Sequence, residues 1–168
     1  MTLDKLLTNA RNLEQAMSGG DVTRSVLEGH KADILELQRI QLLEGKASDG
    51  EDLRPYYSED LKPAGYFWSK ETAARYSAFK ESLSYPYQVQ RNPDAPNLYI
   101  TGLFHNDLGV SFGPDTLMIV PDTAYAANIM RKYGMNIFGL NGQSWGIIWN
   151  EKGAKSELIT KMKETLWQ

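Results

Sequence analysis

Residues 45–65, GKASDGEDLRPYYSEDLKPAG, set three glycines and two prolines among acids and tyrosines, so no helix or strand can run through them. The Asp49-Gly50 dipeptide signals a tight turn, and the Arg54-Pro55 and Lys62-Pro63 steps disfavour continued helix. An irregular stretch of this length is unusual inside a compact domain and is more often functional or ordered by a partner.

Ahead of the loop the spacing is helical. Residues 3–17 carry Leu3, Leu6, Leu7, Leu13 and Met17, and Ser18-Gly19-Gly20 ends the run. Asp21 is placed to cap a second helix over residues 22–43, with Val22, Val26, His30, Ile34, Leu37 and Gln41 near one stripe, flanked by Leu27 and Ile40. Gly29 weakens that helix by about 1 kcal/mol relative to alanine, which predicts a kink or a frayed start. Its expected stop is Glu44-Gly45.

Behind the loop the signals are mixed. Ser69 begins a helix with Thr72 at its fourth position and Ala73, Tyr76, Phe79 and Leu83 on the apolar face, and Pro86 stops it. Asn92-Pro93-Asp94-Ala95-Pro96 is a rigid connector. Short strands are expected over 97–101, 107–112 and 116–120, with Gly113-Pro114-Asp115 turning between the last two. Leu108, Val110 and Phe112 alternate with Gly109 and Ser111, the period of a half-buried strand. Thr123 caps a short helix over 124–133 that Gly134 ends. Trp145, Ile147, Ile148 and Trp149 form a second apolar island, and a last helix over 154–167 carries Leu158, Ile159, Met162, Leu166 and Trp167. The expected fold is a single α+β domain over residues 1–168. A small, mostly antiparallel sheet is packed by N-terminal, middle and C-terminal helices, with the irregular loop at 45–65.

Bulk properties narrow the function classes. A chain of 168 residues suits one core without staples. It has no cysteine, which excludes disulfides and thiolate metal sites. Eighteen basic and 21 acidic side chains give a formal charge of −3, without the basic face that phosphate binding needs. The run Leu117-Met118-Ile119-Val120 is far short of the roughly 20 residues a membrane span needs. The N-terminal MTLDKLLTNARNLEQAM interleaves charge with apolar residues and does not read as a secretory signal. A soluble intracellular product is expected.

Catalytic motifs are hard to find. The two histidines, His30 and His105, build no HExxH site. His30 falls on a helix stripe and reads as a core or rim residue. His105-Asn106-Asp107 reads as a polar turn, with a general-base neighbourhood as the alternative. Asp49, Glu51 and Asp52 with Glu59 and Asp60 are an acidic cluster. Counted from Asp49 as an EF-hand loop, Leu53 and Arg54 occupy the fifth and sixth positions, so the calcium motif fails. These acids with Asp94 or Asp107 leave a glycosidase-type carboxylate pair as a rival reading. No G-x-S-x-G elbow is present, and the glycines at 139, 142 and 146 follow neither the Rossmann nor the phosphate-loop spacing. Tyr56, Tyr57, Tyr66, Phe67 and Trp68 crowd one irregular stretch. Acids rather than cations interleave them, so base stacking ranks third. A protein interface and a satellite core both remain open for them.

Two segments carry a resemblance. Leu98-Tyr99-Ile100-Thr101-Gly102-Leu103-Phe104 is paired with a later Lys132-Tyr133-Gly134-Met135-Asn136-Ile137-Phe138-Gly139-Leu140. Gln41-Leu42, the Gly45…Asp49-Gly50 loop, Tyr57-Ser58 and Pro96-Asn97 precede them in order. Over residues 37–166 the chain resembles virion proteins of tailed phages and prophages of Bacteroides-type hosts, of the tail-completion or head–tail connector (neck) kind. The resemblance implies a structural protein with no cofactor, metal or turnover. It would be made in the bacterial host cytoplasm and carried in the virion as an oligomeric ring around the portal or tail tube. Its implied partners are copies of itself and neighbouring virion proteins (portal, connector or tail), with no membrane and no sequence-specific nucleic acid. Thr101-Gly102 would be a structural turn between a helix-covered strand and an edge strand. Ile137-Phe138-Gly139-Leu140 would be a hydrophobic clamp on the last helix. Residues 70–83 are a longer helical insertion than the family suggests, and the Trp145–Trp149 island is more apolar. The rival readings are a phage-encoded glycan or cell-wall hydrolase and a small inhibitor of a host protein.

Overall fold

The protein is described by a computed structural model over residues 3–18, 20–57, 67, 69–113, 116–121 and 126–167. Among these residues three helices come first: α1 (Leu3–Ser18), α2 (Asp21–Gly29) and α3 (Lys31–Leu43). They are followed by α4 (Lys70–Glu81), a short α5 (Leu103–Asn106), strands β1 (Leu108–Phe112) and β2 (Leu117–Pro121), and α6 (Ala126–Tyr133). A five-residue α7 (Gly142–Gly146) runs directly into a π-helical turn at Ile147–Glu151, and α8 (Ala154–Trp167) ends the described chain. The result is a small α+β fold, rich in helix, with one two-stranded antiparallel sheet. No helix among the described residues is long and apolar enough to cross a membrane.

The two ends of the chain close on each other. Helices α1 and α2 both pack against α8, and Asn9 Nδ2 donates to the Leu166 carbonyl at 2.9 Å, satisfying one of the acceptors a helix end leaves open. The helix expected over 22–43 is two helices. Gly29 ends the first, and His30 (φ −96°, ψ 16°) stands between them. The break is where α8 docks: the His30 ring lies 3.2 Å from Asp33 Oδ2 and 3.4 Å from Glu157 Oε2. Lys152 adds a 2.8 Å ion pair to Asp33, whose carboxyl it holds below the ordinary carboxylate range. Asp21 does not cap α2. Gly20 takes the cap position in a left-handed conformation, and Asp21 is the first helical residue.

Val26, Ile34, Leu37 and Leu42 of α2 and α3 meet Leu108, Val110 and Ile119 of the sheet; Phe104, Ile137, Leu140, Ile148 and Ala154, with Ala47 and Leu53 from the irregular loop, complete the core. The alternation read in the sequence is real: Leu108 and Val110 are buried, while Gly109 and Ser111 face solvent. The register places Val110 opposite Ile119 and Phe112 opposite Leu117. The strand expected over 97–101 does not form. Asn97 Oδ1 accepts from Tyr99 N at 3.3 Å, and Leu98 takes a left-handed φ of 53°, so the local side-chain bond displaces a ladder. Thr101-Gly102 accordingly turns the chain into α5 rather than between two strands. Gly102 (φ 82°) is its cap, packed so closely on Tyr99 that a Cβ would lie 3.2 Å from the ring. Pro114-Asp115 and Thr123 lie outside the described residues.

Gln38 and Gln41, buried on α3, hold the segment read as a hydrophobic clamp. Gln38 donates to the Ile137 carbonyl at 3.2 Å and accepts from Gly139 N at 2.8 Å. One turn on, Gln41 donates to the Gly139 carbonyl at 2.9 Å and accepts from Asn141 N at 2.8 Å. The two carboxamides pair with the main chain as a neighbouring strand would. Ile137 and Leu140 are buried as expected, but these bonds run to α3 rather than to the last helix.

Candidate functional site

A cavity of about 420 Å³ opens between α4, α6 and the connector before α5. Helix α4 contributes Tyr76 and Lys80, one turn apart, and it forms where expected: Ser69 Oγ accepts from Thr72 N at 3.2 Å and caps it. Helix α6 contributes Ile129, Lys132 and Tyr133, and the connector contributes Pro96, Leu98 and Ile100. Tyr56 and Phe67 complete the wall. The Tyr56 and Tyr76 rings meet edge-on with centroids 5.3 Å apart, and Phe67 lies 5.0 Å from Tyr76. The Arg91 guanidinium stands 5.9 Å above the Tyr56 ring. Burial raises the Tyr56 and Tyr76 phenols above their ordinary range, so both stay neutral.

Lys80 is the unusual member. It is only 1% exposed, yet among the described residues its ammonium makes no ion pair and no hydrogen bond. Burial, with Arg91 nearby, pushes its pKa down to about 8. It therefore carries its charge at neutral pH against an apolar wall. Arg91 is held elsewhere, donating to Ser77 Oγ at 3.0 Å and lying 3.7 Å from Glu81.

Of the aromatic stretch expected to form an interface, Tyr56 is 6% exposed and belongs to a satellite core with Tyr76 and Phe67. Tyr57 and Phe67 are half-buried. Tyr66 and Trp68, like Glu59 and Asp60, lie outside the described residues. Asp49, Glu51 and Asp52 line one cavity of about 320 Å³ together with Arg54, Arg131 and Lys132. Asp49 Oδ1 accepts from Glu51 N in its own turn, and Asp52 pairs with Lys46 at 2.7 Å. Asp94 and Asp107 are exposed on separate segments. Among the described residues no three acids or histidines gather as a metal set. Lys80 itself escaped the sequence reading. A lysine amid Tyr76, Phe79 and Leu83 looks like an ordinary charge on an exposed face, and its burial near Arg91 and His105 is set by residues far from it in sequence.

His105 is a core residue of α5, 2% exposed, rather than part of a polar turn. Its Nε2 lies 3.0 Å from the Asn97 carbonyl, which makes Nε2 the protonated nitrogen and leaves buried Nδ1 without a partner. Burial pushes its pKa down to about 4, with Lys80 and Arg39 adding to the effect and the Asn97 bond opposing it. The folded-state value lies below the unfolded one. The stability it contributes is thus complete above about 6.5 and lost as pH falls through about 4. Urea unfolding at pH 7.5 and 4.5 should show the wild type losing about 2 kcal/mol more than His105→Gln, which keeps a donor and cannot titrate. Equal losses in both proteins would assign the acid sensitivity to the carboxylates.

In comparisons with known proteins, no family model, curated protein or solved structure matches this chain.

Proposed function

We propose that this chain is a structural virion protein of a tailed phage or prophage, a head–tail connector (neck) or tail-completion component that assembles by protein–protein contacts. The phage setting rests on the resemblance of segments 98–104 and 132–140. The assembly role rests on one observation: large apolar side chains stand uncovered at the sheet and at the paired chain ends. Met118 on β2 is 55% exposed, Trp167 on α8 is 67% exposed, and Ile159 of α8 and Leu7 of α1 are exposed as well. A two-stranded sheet also leaves each strand one edge without a partner in the sheet. Uncovered apolar residues next to open strand edges favour docking by a neighbouring chain. On this reading the partners are copies of the chain and adjacent portal, connector or tail proteins, and no substrate is turned over.

Peptide mass spectrometry on gradient-purified particles from the source culture tests it. Recovery in fixed stoichiometry with other virion proteins is the expected result. Abundant free protein alongside particles that lack it would sink the proposal.

A further inference from the structure

The cavity between α4 and α6 joins two surfaces that core packing keeps apart. Most of its wall is ring and aliphatic carbon, yet Lys80, only 1% exposed, is one of its lining residues and has no counter-ion among the described residues. The groups electrostatically coupled to that region do not supply one. Arg91 carries the same sign, His105 is neutral, the tyrosine phenols are protonated, and Glu81 pairs with Arg91. Lys132 of α6 lines the wall as well. The connector beside the cavity is itself unsettled. Leu98 holds a left-handed φ of 53°, and Asn97 Nδ2 and Arg91 Nε are buried donors without partners. Unusual backbone conformations cluster at ligand sites, and buried donors without partners call for one.

We propose that this cavity binds an apolar group bearing one carboxylate, the carboxylate pairing with Lys80 and the apolar part lying among Tyr56, Phe67, Tyr76 and Ile129. The charge match decides the class. One ammonium balances one carboxylate, whereas a phosphate group of nearly two negative charges would keep uncompensated charge inside an apolar cavity. The volume of about 420 Å³ lies within the range of small-ligand sites and admits a ring on a short tether. Two sources share this chemistry, a free aromatic or aliphatic acid and the carboxyl end of a partner chain. The inference does not depend on the virion reading.

Titration calorimetry with 3-phenylpropionate and with its neutral amide tests the pairing on the full chain. The acid should bind at least about tenfold more tightly than the amide, since one charge-assisted pair is lost with the carboxylate. Lys80→Met should erase that preference while Lys80→Arg retains part of it. Affinity for the acid should also fall about tenfold per pH unit above about 8, where the free ammonium gives up its proton. Equal binding of acid and amide, no binding of the acid at millimolar concentration, or a preference that survives Lys80→Met would overturn the proposal. Should Lys80→Met fail to fold, the acid–amide ratio of the wild type and its pH profile decide alone. N-acetyl-Gly-Phe with a free carboxyl then separates the sources. Tighter binding than phenylpropionate assigns the site to a chain end, and weaker binding assigns it to a small acid.

Discussion

Gln41→Leu is expected to lower the unfolding free energy by about 3 kcal/mol, the largest loss any single buried polar side chain here should give. Gln41 is 1% exposed, and its carboxamide serves three groups: the Gly139 carbonyl, Asn141 N, and Ser144 Oγ at 3.4 Å. Leucine matches the volume and adds apolar burial worth about 1 kcal/mol. It nevertheless leaves an acceptor and a backbone donor unpaired inside the protein, each at about 1–3 kcal/mol. Gln38→Leu removes two such bonds and should cost less. Urea denaturation measures both. A loss under about 1 kcal/mol for Gln41→Leu would mean that burial of Ile137 and Leu140 alone holds the segment on α3.

Lys80→Met should act in the opposite direction and stabilise the protein by about 2 kcal/mol at pH 7. The lysine's folded-state pKa of about 8 lies below its ordinary 10.5. At pH 7 both folded and unfolded chains carry the charge, and the folded one bears the full penalty of burying it. Between about 8 and 10.5 the folded lysine sheds its proton first, so wild-type stability rises with pH and the advantage of methionine shrinks. Thermal melts at pH 7 and pH 10.5 should show a clear gap closing to little. A methionine variant less stable than wild type at pH 7 would mean that the ammonium is satisfied in solution. A buried charge without a counter-ion is costly to the fold, which is why Lys80 rather than Tyr56 marks the site.

Local signals were legible where one segment decides its own conformation. The run 154–167 predicted α8 to the residue, Ser69 with Thr72 marked the start of α4, and Leu108, Val110 and Phe112 marked β1. The stop at Glu44-Gly45 is likewise present. Gly45 takes φ 79° just past α3, with Ala95 so near that any Cβ there would lie 2.7 Å from its methyl. Periodicity, caps and glycine conformations act within a few residues, so they survive in sequence order.

The tertiary structure decided the rest, because each remaining feature depends on residues far apart in the chain. Gln41 sits on an apolar stripe and gives no hint that its amide pairs with a segment about a hundred residues later. Leu98-Tyr99-Ile100 has strand-forming residues, but Asn97 bonds its own backbone and His105 takes the Asn97 carbonyl, so the segment stays irregular. Leu158, Met162 and Leu166 are only half-buried and Trp167 stands in solvent, because α8 rests on α1 and α2 without a further layer over it. The charge on Lys80 was visible from the start. Its burial near Arg91, with no ion pair to a described carboxylate, was decided only by the tertiary structure.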